Sequence, residues 1–353
     1  MPRVARLGVT LSCALSLAAA RTLGVREARA TYDPPGVPAA TGWVNVTNNV
    51  GGQSWGAYGV TYLKAVPQSG DIIAGVSECG LWISSDNGAT WRKLGGDEIK
   101  NRPGRIVFDP KDKNRFWESG CYGDAPFVTH DGGRTFQRLG NLAHADGIAV
   151  DFTDRQRHSL LLGMHEQSQS LHLSTDGGAT WTRIGDRLPA DSNHSSDPIV
   201  IDSKTFLVNT AGWKQGASLG IYRSADAGAT WQKVSDFGPA GEPLVATDGT
   251  IYWQRIWGGG LLRSVDQGKS WTQVSKAVRS NAVEMDGKRL AALNGKQVLI
   301  SSDGGVSWMP FGPPSPFPPN GLVYSEKGAC FYVWQLSDNM TRQPVSIARL
   351  STR

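Results

Sequence analysis

Asp146, Asp197 and Glu242 each stand at the head of a short apolar run, in DGIAVD, DPIVID and EPLVAT. Carboxylates repeated in one local setting suit acid–base chemistry on a glycosidic bond, where one carboxyl gives a proton and another takes one. Such pairs work at separations of about 6–10 Å. Asp146 and Asp197 are read as the acid/base pair and Glu242 as a substrate contact. His165 or His194 would be the proton-transfer partner, since imidazole titrates near neutral pH. Arg105, Arg255 and Arg279 could hold a substrate carboxylate. Trp55, Trp213 and Trp257 could stack on a sugar ring, because each joins an apolar face to a polar edge, and Tyr122 is a further candidate substrate contact. A structural reading stands beside this one: an acid before a strand also caps a turn, and Trp also packs between repeats. No two His, Cys or acidic residues show a spacing that fixes ligand geometry, so neither a metal nor a cofactor is expected.

Candidates this far apart in sequence meet only if the chain returns to one face again and again. The segments SSDNGATW, THDGGRTF, STDGGATW, SADAGATW, SVDQGKSW and SSDGGVSW do mark such returns. Their acids are Asp86, Asp131, Asp176, Asp226, Asp266 and Asp303, spaced by 45, 45, 50, 40 and 37 residues. That is the size of a four-stranded propeller blade. In each copy the Asp can accept turn N–H bonds, the Gly can supply a positive φ, and the aromatic can pack the hairpin on its neighbour.

After Trp308 come three more strand-like runs, at residues 321–324, 330–334 and 345–350, but no further box. Gly42-Trp43-Val44-Asn45-Val46 looks like the strand that comes after a box. The expected fold is therefore all-β: a seven-bladed β-propeller, in one domain over 31–353, with the N-terminal strand closing the C-terminal blade. Closing the ring this way removes two sheet edges. The Pro-rich stretch at 313–319 then joins blades six and seven. Aligning the innermost strands places Tyr58, Gly104, Asp146, Asp197, Glu242, Asn281 and Asn320 in one ring. A second loop set carries Glu78-Cys79, then Glu118 to Tyr122 with Asp124, then His165-Glu166-Gln167, and further on Trp213, Arg255 and Trp257. His144 and His194 enter with the first set.

The six segments resemble the Asp-box, or bacterial neuraminidase repeat, of sialidases, xyloglucanases, sortilin-type receptors and photosystem II assembly factors. The resemblance covers about residues 42–350. It implies that the six box acids are structural and that ligands bind on the opposite face, over the channel. It also implies a carbohydrate-active propeller, hydrolase- or lyase-like, with a glycan or polysaccharide as ligand. The photosystem II assembly factors are similar in being single exported propellers. They represent the alternative, a non-catalytic propeller that holds a glycan, a peptide or a partner protein.

The N-terminus bears on location and charge. Arg3 and Arg6 precede an apolar stretch from Leu7 to Ala20, and Ala28-Arg29-Ala30 offers a cleavage site. Residues 1–30 thus read as a signal peptide, and the protein as secreted or periplasmic. Those residues hold five Arg and one Glu, or +4 of the formal +5, leaving +1 for the rest. Such a charge gives no support for nucleic-acid binding. No later apolar run is long enough to span a membrane, and a monomer is expected. In an oxidising compartment Cys79, Cys121 and Cys330 could form one bridge. Cys79–Cys121 is favoured because the two occupy corresponding loops of adjacent blades. Cys79–Cys330 and no bridge remain open.

Overall fold

The computed structural model describes residues 42–353 apart from 54, 57, 101–103, 193–196, 211–217, 256–258 and 337–344. The expected leader at 1–30 lies outside them. Ile72, Ala74 and Val76 face one side of their strand and Ile73 the other, and both sides are buried. The same alternation recurs at Leu160, Leu161 and Leu162, at Phe206, Leu207 and Val208, and at Phe331, Tyr332 and Val333. A strand packed on both faces belongs to a sheet with sheets on either side. Its sequence therefore reads as a continuous apolar run.

The ring consists of seven antiparallel four-stranded sheets. Six follow chain order, with innermost strands at Val60–Ala65, Ile106–Phe108, Ala145–Val150, Ile199–Val200, Leu244–Val245 and Val283–Glu284. The seventh combines Gly321–Ser325, Cys330–Gln335 and Ser346–Ser351 with the N-terminal strand Trp43–Asn45. Trp43 pairs with Leu350 and Asn45 with Ala348, so the two ends of the chain close the last blade together. One apolar layer fills the space between each pair of neighbouring blades.

Each of the six repeat hairpins joins the third and fourth strands of its blade. At the first, Ser84 Oγ donates to Asp86 Oδ1 (2.7 Å) and accepts from the Gly88 N–H (2.7 Å). The Thr90 N–H and hydroxyl donate to the two oxygens of Asp86 (2.8 and 2.6 Å). The same bonds recur at Asp131, Asp176, Asp226, Asp266 and Asp303. The Thr90 hydroxyl, then its amide, hold the Asp86 carboxyl down at about 2. Thr180 does the same for Asp176, also to about 2. Gly88 takes φ +87°, and a Cβ there would lie 2.7 Å from Val46 Cβ, so both conformation and space require glycine. Both oxygens of each box acid are thus engaged within its own hairpin, while turn carbonyls such as Gly88 O and Ala229 O accept from Asn48 and Arg187 of a neighbouring blade.

Candidate functional site

On the opposite face, the loops of blades two and three are stitched together through their backbones. The Ala145 N–H donates to Gly120 O (3.0 Å), the His144 N–H to Asp124 O (3.0 Å) and the His165 N–H to His144 O (2.9 Å). Ser119 Oγ accepts from the Arg105 N–H (2.8 Å) and donates to Asp146 O (2.9 Å). Asp146 sits where the register shifts between Ala145 and Gly147. A bulge of this kind takes a residue off the ladder and re-aims its side chain. Tyr122, His144 and Glu166 hold φ of 55°, 71° and 53°. Non-glycine residues in this region each cost on the order of 1–3 kcal/mol, and surrounding structure must hold them there.

Asp146, from the ring of innermost strands, and His165, from the second loop set, meet. His165 Nδ1 lies 2.8 Å from Asp146 Oδ1, and the Cys121 thiol donates to the same oxygen at 3.3 Å. On the far side of the imidazole, Nε2 is 3.6 Å from Glu166 Oε1 and is otherwise buried with no hydrogen-bond partner. Tyr122 covers His165 at 4.6 Å between ring centroids, His144 meets His165 edge-on at 4.7 Å, and Tyr58 flanks Tyr122 at 5.7 Å. Burial first, then the neighbouring His165, push His144 below the usual imidazole value. Tyr122 is 38% exposed in this otherwise packed cluster. Sulfur, oxygen and nitrogen donors of Cys121, Asp146 and His165 all lie within 4.8 Å of one another. No linear spacing could show this, since Asp146 is 25 residues from Cys121 and 19 from His165.

The other ring carboxylates face the channel, in a different setting. Arg105 Nη2 donates to Asp197 Oδ1, joining blades two and four. Lys64 Nζ meets Glu242 Oε1 at 2.5 Å, joining blades one and five, and Arg105 Nε is 3.8 Å from the same oxygen. Contacts between non-adjacent blades must cross the channel, so these four side chains form an ionic floor beneath the face. Burial alone would raise the Glu242 carboxyl; Lys64, then Arg105, bring it below its ordinary value. The structure therefore gives Asp146 and Asp197 separate partners, and it gives Arg105 two carboxylates of its own chain. Arg255 stacks 4.9 Å from the Phe237 ring centroid and donates to Gln273, and exposed Arg279 donates to Lys276 O. His194, Trp213 and Trp257 lie outside the described residues.

The cysteines require a correction. No disulfide joins Cys79, Cys121 or Cys330. Cys79 packs into the layer between blades seven and one, whereas Cys121 turns toward Asp146 of blade three. Cys79 thus turns back toward the preceding blade and Cys121 forward to the following one, so the two thiols point away from each other. Cys330 shares the layer of Cys79 but begins its strand at the hairpin end.

Sequence reasoning also passed over Glu118 as a site residue. It is fully buried at a strand end, and Oε1 accepts from the Gly104 N–H at 2.6 Å. Burial pushes its carboxyl up to about 8, against the pull of the Gly104 and Gly120 amides. In FWES the residue reads as the first position of a loop, which gives no sign of burial.

Comparison with known proteins agrees with this architecture. The family described as Sortilin-Vps10 (sortilin, neurotensin receptor 3) matches residues 79–208. A xyloglucanase from Paenibacillus sp. is 26% identical over 190 residues, which is 42% of this chain and 18% of that protein. Among solved structures, the GH74 enzyme of Niastella koreensis superposes with a TM-score of 0.62 at 19% identity, covering 84% of this chain and 53% of that one. YCF48 from Cyanidioschyzon merolae gives 0.57 at 12% identity, covering 88% and 98%. The chain thus spans under a fifth of the curated relative and about half of the GH74 chain. It is a seven-bladed β-propeller similar to those of glycoside hydrolases.

Proposed function

We propose that the protein is an exported Asp-box propeller that acts on a glycan, in the manner of a glycoside hydrolase. The glycan would sit on the face formed by blades one to three. One observation carries the reading: the partly exposed ring of Tyr122 lies directly against a hydrogen-bonded imidazole–carboxylate pair, His165–Asp146. An aromatic platform holds a sugar ring by its apolar face, and a carboxylate beside it can take a proton from water or a sugar hydroxyl. In this reading His165 orients Asp146, and Glu166, about half exposed beyond His165, is the second carboxylate. Arg105, Asp197, Glu242 and Lys64 are the floor that closes the channel beneath the ligand. The match to a xyloglucanase supports a polysaccharide rather than a peptide ligand. The test is a reducing-end and unsaturated-uronate assay of wild type over xyloglucan and other plant and bacterial polysaccharides. Saturable release of product from at least one is expected. Binding without product on every one would move the protein to the non-catalytic class.

A further inference from the structure

We propose that Cys121, Asp146 and His165 form a binding site for a thiophilic divalent cation, with zinc as the best fit. The inference concerns binding alone and stands whether or not the glycan reading holds. Thiolate, imidazole and carboxylate together are a donor set of zinc chemistry, whereas magnesium and calcium take oxygen. Zinc sits about 2.0–2.3 Å from such donors, so tetrahedral ligands lie about 3.3–3.8 Å apart. Cys121 Sγ and Asp146 Oδ1 are already 3.3 Å apart, and His165 Nδ1 at 2.8 Å from that oxygen need open only slightly. The three donors come from two blades whose loops are tied by backbone bonds, so the site is held by the fold rather than by one flexible segment.

The surroundings fit the exchange of protons for metal. Binding through Nδ1 requires the ring proton on Nε2, and that atom is otherwise unpartnered, with Glu166 Oε1 3.6 Å away. A carboxylate behind a ligating imidazole fixes its tautomer and strengthens its donation. Cys121 would release its thiol proton to solvent, and the ionised Asp146 brings none. Two negative ligands then balance the cation. Three protein ligands would leave a fourth position open to water or a ligand.

The experiment uses the exported chain, stripped with a chelator and dialysed. Zinc titration by calorimetry should give one site per chain, and cobalt(II) should produce a thiolate-to-metal charge-transfer band. Cys121→Ser should abolish the band and weaken zinc at least tenfold, while Cys79→Ser leaves both unchanged. Because Cys121 is buried and its variant could misfold, Glu166→Gln serves as the second test. It should weaken zinc about tenfold without loss of secondary structure. Absence of saturable binding to folded wild type, or a cobalt band that survives Cys121→Ser, would overturn the proposal.

Discussion

In the hairpin at Asp86 both carboxylate oxygens are taken by the turn that carries them, and the same bonds recur in five other blades. On the opposite face, Asp146 is met by a thiol from blade two and an imidazole from the next loop of its own blade. No second His/Cys/carboxylate group of this kind occurs among the described residues. A repeated, self-satisfied acid holds a fold; a single acid assembled from distant residues, beside strained backbone and an exposed ring, is the one proposed above to serve a ligand. The two regions should therefore separate under mutation, one in stability and the other in binding or turnover.

The largest effect is expected where the ring closes. Deleting residues 42–50 removes the strand paired with Ser346–Ser351 and uncovers Trp91, whose indole N–H donates to Val46 O at 2.9 Å. Calorimetry should show the melting temperature falling by more than about 10 °C, or no cooperative transition. An unchanged melting temperature would mean that the ring closes some other way.

Next comes the ion pair between blades two and three. Arg157 Nε donates to Asp109 Oδ2 (3.0 Å) and Nη2 to Oδ1 (3.2 Å), with both residues buried. Arg157→Met leaves the buried Asp109 without its guanidinium partner and should cost about 3–5 kcal/mol in chemical denaturation. A loss below about 1 kcal/mol would show that Asp109 reaches water once Arg157 is gone.

Glu118 supplies a pH test of the ligand face. Its carboxyl is raised to about 8 in the folded protein and ordinary, about 4.3, when unfolded. Between those values the folded state holds the extra proton. This contribution to stability is full below pH ~4.3 and is lost as pH rises through about 8, at up to ~1.4 kcal/mol per unit. Glu118→Gln should flatten that fall, read as stability against pH from 5 to 8. Parallel curves for variant and wild type would refute the shift.

Smaller still is the effect at a single hairpin. Asp86 sits well below its ordinary value, at about 2, so its stabilisation is present above pH ~3.9 and is lost as pH falls through about 2. Asp86→Asn should melt a few degrees below wild type at neutral pH, with the gap closing on acidification. A gap that persists at pH 2 would mean that charge is not what the turn uses.

The sequence makes the fold legible because its determinants are local. Each hairpin carries its own bonds within eight residues, and alternation in runs such as Ile72 to Val76 needs only neighbouring positions. The closing strand could be found because Gly42 to Val46 resembles the fourth strand of a boxed blade. Asp146 and His165 were legible as residues of one face, but their partners were not. Which neighbouring blade a loop cysteine turns to leaves no trace in spacing: Cys121 meets the blade after its own, whereas Cys79 packs with the blade before it. Arg105 was legible as a candidate contact for a substrate carboxylate, yet its bond to Asp197 crosses the ring and leaves no trace in spacing.

The direct measurement is the paired profile of Asp146→Asn and Asp86→Asn, each scored for melting temperature and for turnover of whichever polysaccharide wild type cleaves. Asp146→Asn should lose at least about 100-fold in turnover while melting within about 2 °C of wild type. Asp86→Asn should show the reverse, a lower melting temperature with turnover intact. Turnover that survives Asp146→Asn, or is lost with Asp86→Asn in folded protein, would contradict the assignment of ligand chemistry to the face of blades one to three.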